Sequence, residues 1–257
     1  VDEFSACSLN GDYRDEDRKK AFPTIVSSPV RDMLSAVLFD ETYRLEIDCE
    51  ETAADRLEHF LSEGEQELMN RLIGEKRRRS FAAGRLAAKR CMAAAFCNQD
   101  LGVFSLCETD IVRNEGGSLA VCIKGQRRFD ISVSISHGGK FAFAGISKIC
   151  AIGVDVEPVS EKCVMLQNEF ASSREMEILF RADNAGCEAV EATRLFSAKE
   201  AAAKCFLTHM YFAFHHYCLQ SADKDVLIFE DLSGQRKRFS VHTAVEESHV
   251  FSKSVEM

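Results

Sequence analysis

Residues 131–158 read ISVSISHGGKFAFAGISKICAIGVDVEP, and this stretch decides the fold. Ile131, Val133 and Ile135 alternate with Ser132, Ser134 and Ser136, the period of two expected of a strand with one buried face. Gly138 and Gly139 make a turn. Phe141 to Ser147 supplies a second strand and Ala151 to Glu157 a third, closed by Pro158. Three strands joined by short turns predict an antiparallel meander.

Working outward, residues 1–30 are polar, with an ionic run from Asp12 to Lys20, and read as a tail or linker. Met33 to Phe39 reads as a short strand. From Glu63 the pattern turns helical, with Leu68, Leu72 and Ile73 on one face. A second helix runs from Glu75 to Phe96 with Phe81, Leu86, Ala88, Met92 and Phe96 inward. Beyond the meander, Ser172 to Phe180 and Ala189 to Phe206 read as helices, the first capped by Ser172 or Ser173 with Glu175 in its first turn. Strands return near Val226–Glu230, Arg238–Val245 and His249–Ser254. Helices followed by strands, twice over, imply an α+β fold of two similar subdomains related by a pseudo-twofold. Each is a small, mostly antiparallel sheet with a packed long helix. The boundaries read as 1–32 tail or linker, 33–148 N-terminal subdomain and 149–257 C-terminal subdomain, with the active site at their interface.

Composition narrows the function. The 257 residues are 46% hydrophobic and 28% charged, ordinary for a soluble globular protein, with no apolar run long enough to span a membrane and no signal peptide. Eleven cysteines without a C-x-x-C pair read as buried thiols in a reducing cytoplasm. The net charge of −9, from 41 acids and 32 bases, argues against general nucleic-acid binding. Yet Lys76, Arg77, Arg78, Arg79, Arg85, Lys89 and Arg90 crowd one stretch. Arg78, Arg85 and Lys89 share a helix face, either solvated or turned to an anionic ligand.

Three segments carry chemistry. In IGVDVEP, Ile152, Val154 and Val156 point to one side, Asp155 and Glu157 to the other. Two positions along a strand is about 6–7 Å. Carboxylates that close are either both solvated or share a hard cation such as Mg²⁺. In RLFSAKEAAAKCF, Glu200 and Lys204 stand one turn apart, a pairing that is also a common helix salt bridge. Ser197 can cap a turn there, and Phe196, Ala203 and Phe206 can pack inward. In SISHGGK, His137 ends a strand beside two glycines, where a phosphate can approach. P-loop, dinucleotide-binding, zinc-protease and nucleophile-elbow patterns are absent. His215-His216 lacks metal spacing and reads as structural.

IGVDVE, with FSAKEAAAK beginning 41 residues after Asp155, resembles the paired signature of 4′-phosphopantetheinyl transferases. Gly153, Asp155, Phe196, Ser197, Lys199, Glu200, Ala201 and Lys204 fill its fixed positions. SISH, the basic helix FAAGRLAAKR and the acidic helix SSREMEILF extend the resemblance over about residues 34–245. It is nearest to the larger, two-subdomain type that serves surfactin and enterobactin synthetases. The resemblance implies transfer of the 4′-phosphopantetheine arm of coenzyme A to a serine of an apo acyl or peptidyl carrier protein, with release of 3′,5′-ADP. It implies Asp155, Glu157 and Glu200 as ligands of Mg²⁺, with Mn²⁺ as an alternative. Glu200 would take the serine proton, and Lys204 would hold the α-phosphate and stabilise the leaving group. Lys199 would add a coenzyme contact. Arg85, Ser136 and His137 would bind the adenosine end and its 3′-phosphate, with Arg71 and Lys76 as looser candidates. The family's Gly-Lys-Pro-like segment is replaced by NEGGSLAVCIKGQRRF, where Lys124, Arg127 or Arg128 would stand in. The acidic net charge points to carrier docking through apolar contacts in a groove between the subdomains. The protein is expected to be cytoplasmic, and either a monomer or a domain of a larger synthase. A carrier-binding module without catalysis and a metal-dependent phosphohydrolase acting on nucleotides are the alternatives.

Overall fold

The computed structural model describes residues 40–48, 52, 54–96, 105–148, 150–181, 186–233 and 237–255. The expected tail at 1–30 and strand at Met33–Phe39 lie outside these residues.

Two antiparallel sheets form the framework. The first has the order β1 (Asp40–Glu46), β6 (Phe141–Ser147), β5 (Ser132–Gly138). The second has the order β7 (Ile152–Pro158), β11 (His249–Val255), β10 (Arg238–Glu246), β9 (Val226–Asp231), β8 (Tyr217–Ala222). A smaller sheet of β2 (Thr109–Arg113), β3 (Leu119–Ile123) and β4 (Gln126–Arg128) falls where the sequence reading named no strand. The expected meander is therefore corrected. β5 and β6 form a hairpin, but β7 leaves it and pairs with β11.

The serines explain how the two sheets still meet. Ser132 Oγ accepts from Ile152 N at 3.2 Å, and Ser134 Oγ accepts from Val154 N at 3.0 Å. Side-chain hydroxyls of β5 thus satisfy the backbone donors on the open edge of β7. Gly138 allows the same closeness, since a Cβ there would lie 2.0 Å from Val156 O. Phe141, Phe143, Ile152, Val154, Val156 and Phe251 form a small core at this junction. At its rim Arg44 pairs with Glu246, and Lys140 with Glu247 at 2.6 Å.

Each sheet carries one long helix. Helices α1 (Glu63–Asn70) and α2 (Glu75–Phe96) precede the small sheet. α2 buries Ala82, Ala83, Leu86, Ala87, Ala88 and Met92 in the first core. Short helices α3 (Glu161–Met165) and α4 (Gln167–Phe170) lead to α5 (Ser173–Arg181) and α6 (Glu188–Cys205), and α7 (Met210–His216) follows. α6 buries Ala192, Leu195, Ala198, Ala201 and Ala202 in the second core. Small residues bring its backbone onto β7, and Gly153 is needed at the contact, since a Cβ would meet Ala201 O at 1.9 Å.

The two halves repeat an ion-paired cell. Ser62 and Glu65 form a capping box at α1, and the buried Glu65 pairs with Lys89 of α2 and accepts from Ile111 N of β2. Ser172 and Glu175 bond each other in the same reciprocal way at α5, and the buried Glu175 pairs with Lys199 of α6 and accepts from Leu219 N of β8. Each lysine also donates to a carbonyl 29 residues earlier, Phe60 O or Phe170 O.

This cell corrects two expectations. Leu68 and Ile73 are exposed, because Glu65 and Met69 take the inward side of α1. Arg85 and Lys89 do not lie on a solvated face; both are buried toward Glu65, while Arg78 remains exposed. The eight cysteines among the described residues are all free thiols, and only Cys91 and Cys205 are buried.

Candidate active site

β7 and α6 bring Asp155, Glu157 and Glu200 together. Strand alternation aims Asp155 and Glu157 the same way, and the close packing of α6 over Gly153 delivers Glu200 from above. One carboxylate oxygen from each lies within 4.8 Å of the others. Asp155 has no exposed surface, which removes the solvated-face reading of the D-x-E pattern. Lys204 Nζ donates to Asp155 Oδ1 at 2.7 Å and to Ser136 Oγ at 3.0 Å, and lies 3.8 Å from Glu200 Oε2.

One buried and two half-buried acids in one place cannot all ionise freely. Burial opposes charge on Asp155, but Lys204 and hydrogen bonds from Glu200, Lys204 and Ser136 outweigh it and hold its pKa below the ordinary value. Burial and then the Asp155 charge raise Glu157 to about 7. Burial and then Asp155 raise Glu200 to about 8. Lys204 loses by burial and gains more from the acids, so it stays charged. Without a cation, Glu200 carries a proton beside ionised Asp155.

These residues fit a divalent ion. Asp155 Oδ2 is buried and accepts from no nitrogen or hydroxyl donor, although unpaired buried carboxylate oxygens are costly. Hard oxygen donors of this kind are those Mg²⁺ and Mn²⁺ accept.

A cleft of about 890 Å³ opens onto Glu200 and Lys204. Its walls include Ile131 to Ile135, the β2–β3 turn with Arg113, and Leu207 to Met210. His137 keeps an outward edge at the end of β5, and its Nε2 packs over Gly84, where a Cβ would come within 2.4 Å. That enclosure, then the Lys204 and Arg85 cations, lower its pKa, so the ring is neutral at pH 7. The Arg85 guanidinium lies over the Phe81 ring, with Nε 3.3 Å from Glu65 Oε1.

Several implied roles change. Lys199 is wholly buried and its ammonium is taken by Glu175, Phe170 O and Phe214 O, which turns it away from the cleft. Arg71, Lys76, Arg85, Ser136 and His137 are all outside the cleft wall, Arg71 and Lys76 being exposed and Arg71 pairing with Glu67. Lys124, Arg127 and Arg128 bond Glu108, Asn114 and Asp130 respectively. Ser197 caps nothing; its Oγ bonds Ser252 Oγ and ties α6 to β11. His215 and His216 pack against Tyr211 and Phe212, the structural role expected. The alternation of serines in β5 was readable; that those serines serve β7 was not, since only the fold sets the two strands side by side.

A family model described as the 4′-phosphopantetheinyl transferase superfamily matches residues 151–253, which include all three carboxylates and Lys204. The chain is 33% identical over 90 residues to a holo-[acyl-carrier-protein] synthase of Oceanobacillus iheyensis, covering 35% of this chain and 74% of that protein. Among solved structures, a Bacillus anthracis holo-(acyl-carrier-protein) synthase in complex with CoA (3′,5′-ADP) is 26% identical, with 42% of this chain and 92% of that chain covered and a TM-score of 0.35. A Helicobacter pylori holo-[acyl-carrier-protein] synthase in complex with coenzyme A is 21% identical, with 42% and 96% covered and a TM-score of 0.32. On the family model and the Oceanobacillus relative, the chain belongs to the 4′-phosphopantetheinyl transferase superfamily.

Proposed function

We propose that the protein transfers the 4′-phosphopantetheine arm of coenzyme A to a serine hydroxyl of an acyl or peptidyl carrier protein, and that transfer requires Mg²⁺. The observation that carries this is the meeting of Asp155, Glu157 and Glu200 beside Lys204, with Glu200 and Lys204 lining an open cleft. The serine oxygen forms a bond to the β-phosphorus of coenzyme A. The phosphoanhydride bond breaks, 3′,5′-ADP leaves, and the serine proton passes to Glu200.

Asp155, Glu157 and Glu200 would hold the cation, which when bound neutralises diphosphate charge as the anhydride bond breaks. Lys204 is the fixed ammonium nearest them, placed to meet charge that grows on the leaving phosphate. His137 and Arg85 stand on the first-sheet side, where they would take the adenosine end and its phosphate. This reading keeps the division into residues 33–148 and 149–257 with the site between them. Contributions from β5, β7 and α6 to one cluster support it. The repeated ion-paired cell supports the two-subdomain type.

The test is mass spectrometry of a panel of apo-carrier proteins from fatty-acid, polyketide, nonribosomal-peptide and siderophore synthases, incubated with coenzyme A and Mg²⁺. A gain of one phosphopantetheine group on a carrier, lost in Glu200→Ala, is expected. Release of phosphopantetheine without a carrier would replace the proposal with phosphohydrolase activity. Carrier binding without a mass gain would leave a binding module.

A further inference from the structure

We infer that Ser136 is a positioning residue for the carboxylate centre, not a coenzyme contact; this rests on the transferase reading and deepens it. Ser136 is buried, and its Oγ donates to Asp155 Oδ1 at 2.7 Å while accepting from Lys204 Nζ at 3.0 Å. Lys204 donates to the same Oδ1 at 2.7 Å. One hydroxyl, one ammonium and one carboxylate oxygen therefore close a ring. The hydroxyl spends its only proton and one of its lone pairs there.

Two donors on Oδ1 fix the plane of the Asp155 carboxylate. Oδ2, buried and reached by no nitrogen or hydroxyl donor, is left as the oxygen available to a cation. The neighbouring serines show why Ser136 is held in place. Ser132 and Ser134 accept backbone N–H groups of β7 and set the register of the two strands. At the next inward position, the hydroxyl switches from a backbone partner to the Asp155 side chain. Strand alternation then turns His137 outward, so the Ser-His pair is divided between two tasks.

Partners that orient a metal-binding group are worth about 10–100-fold in metal affinity. Mn²⁺ binding to the protein is read by electron paramagnetic resonance, and coenzyme A binding by calorimetry in the presence of a chelator. Ser136→Ala should weaken Mn²⁺ by at least about tenfold and leave coenzyme A affinity within about twofold. Ser136→Thr, which keeps the hydroxyl, should restore Mn²⁺ affinity. A weaker grip on coenzyme A in Ser136→Ala, or unchanged Mn²⁺ affinity, overturns the inference. Failure of the transferase reading looks different: Ser136→Ala would still weaken Mn²⁺, but no carrier protein would gain a phosphopantetheine group with the unmodified protein.

Discussion

Lys199 offers a quantitative test, because its motif position implies a coenzyme contact and its surroundings imply a structural one. The ammonium is fully buried, 2.9 Å from Glu175 Oε1, 2.8 Å from Phe170 O and 3.0 Å from Phe214 O. Lys199→Met keeps the volume and removes the charge. Glu175 is left buried, still accepting from Ser172 N, Ser172 Oγ and Leu219 N. Removing one partner of a buried ion pair costs about 3–5 kcal/mol. The remaining donors to Glu175 put the expected loss at the low end, about 3 kcal/mol. With a urea slope of about 2–3 kcal/mol per molar, the midpoint should fall by about 1–1.5 M, followed by circular dichroism. Adding Glu175→Gln removes the orphaned charge. The double variant should be more stable than the sum of the single losses predicts, by at least about 1 kcal/mol. Coenzyme A affinity, measured well below the transition, should not change. A midpoint within about 0.3 M of the unmodified protein, or weaker coenzyme binding at an unchanged midpoint, would refute the reasoning.

Three other perturbations follow from the same geometry. Gly84→Ala places a methyl 2.4 Å from His137 Nε2, a side-chain end that can move. Steady-state kinetics should show the KM for coenzyme A rising about tenfold, about 1.4 kcal/mol, with kcat little changed; a fall confined to kcat would contradict this. Gly153→Ala sets a methyl against Ala201 O at 1.9 Å and Cys205 N at 2.4 Å, both backbone atoms. It should cost about 3 kcal/mol or more, and a melting temperature equal to that of the unmodified protein would count against the close packing of α6 on β7. Glu157 and Glu200 have pKa values raised from 4.5 to about 7 and about 8. In the cation-free protein the folded state binds these protons more tightly than the unfolded chain. Their stabilising contribution is full below pH 4.5 and is lost as pH rises through 7 to 8. Mg²⁺ needs the ionised forms, so it should raise the melting temperature more near pH 8.5 than near pH 6, and its binding near pH 7 should release protons. A Mg²⁺ effect independent of pH would refute this.

Much of the site was legible because its chemistry is local. D-x-E on a strand and E-x-x-x-K on a helix each fix two side chains on one face, and that alone places Asp155 with Glu157 and Glu200 with Lys204. The two long helices were legible for the same reason, and Ser172 or Ser173 with Glu175 marked the start of α5. What failed was non-local. Nothing in β7 itself says that it leaves the β5–β6 hairpin to pair with β11, a strand about a hundred residues later. Lys89 and Lys199 look like surface charges until their glutamates are known. Even so, a signal was present. FLSEGEQELMNR at 60–71 and FASSREMEILFR at 170–181 share Phe, Ser, two Glu and Arg at equal spacing. That repeat marks both buried glutamates.

The most direct measurement is anomalous scattering from crystals grown with coenzyme A and Mn²⁺. The account predicts a manganese peak enclosed by the carboxylates of Asp155, Glu157 and Glu200 and touching the diphosphate of the coenzyme. A diphosphate bound elsewhere, or manganese absent from among these three side chains, would contradict it.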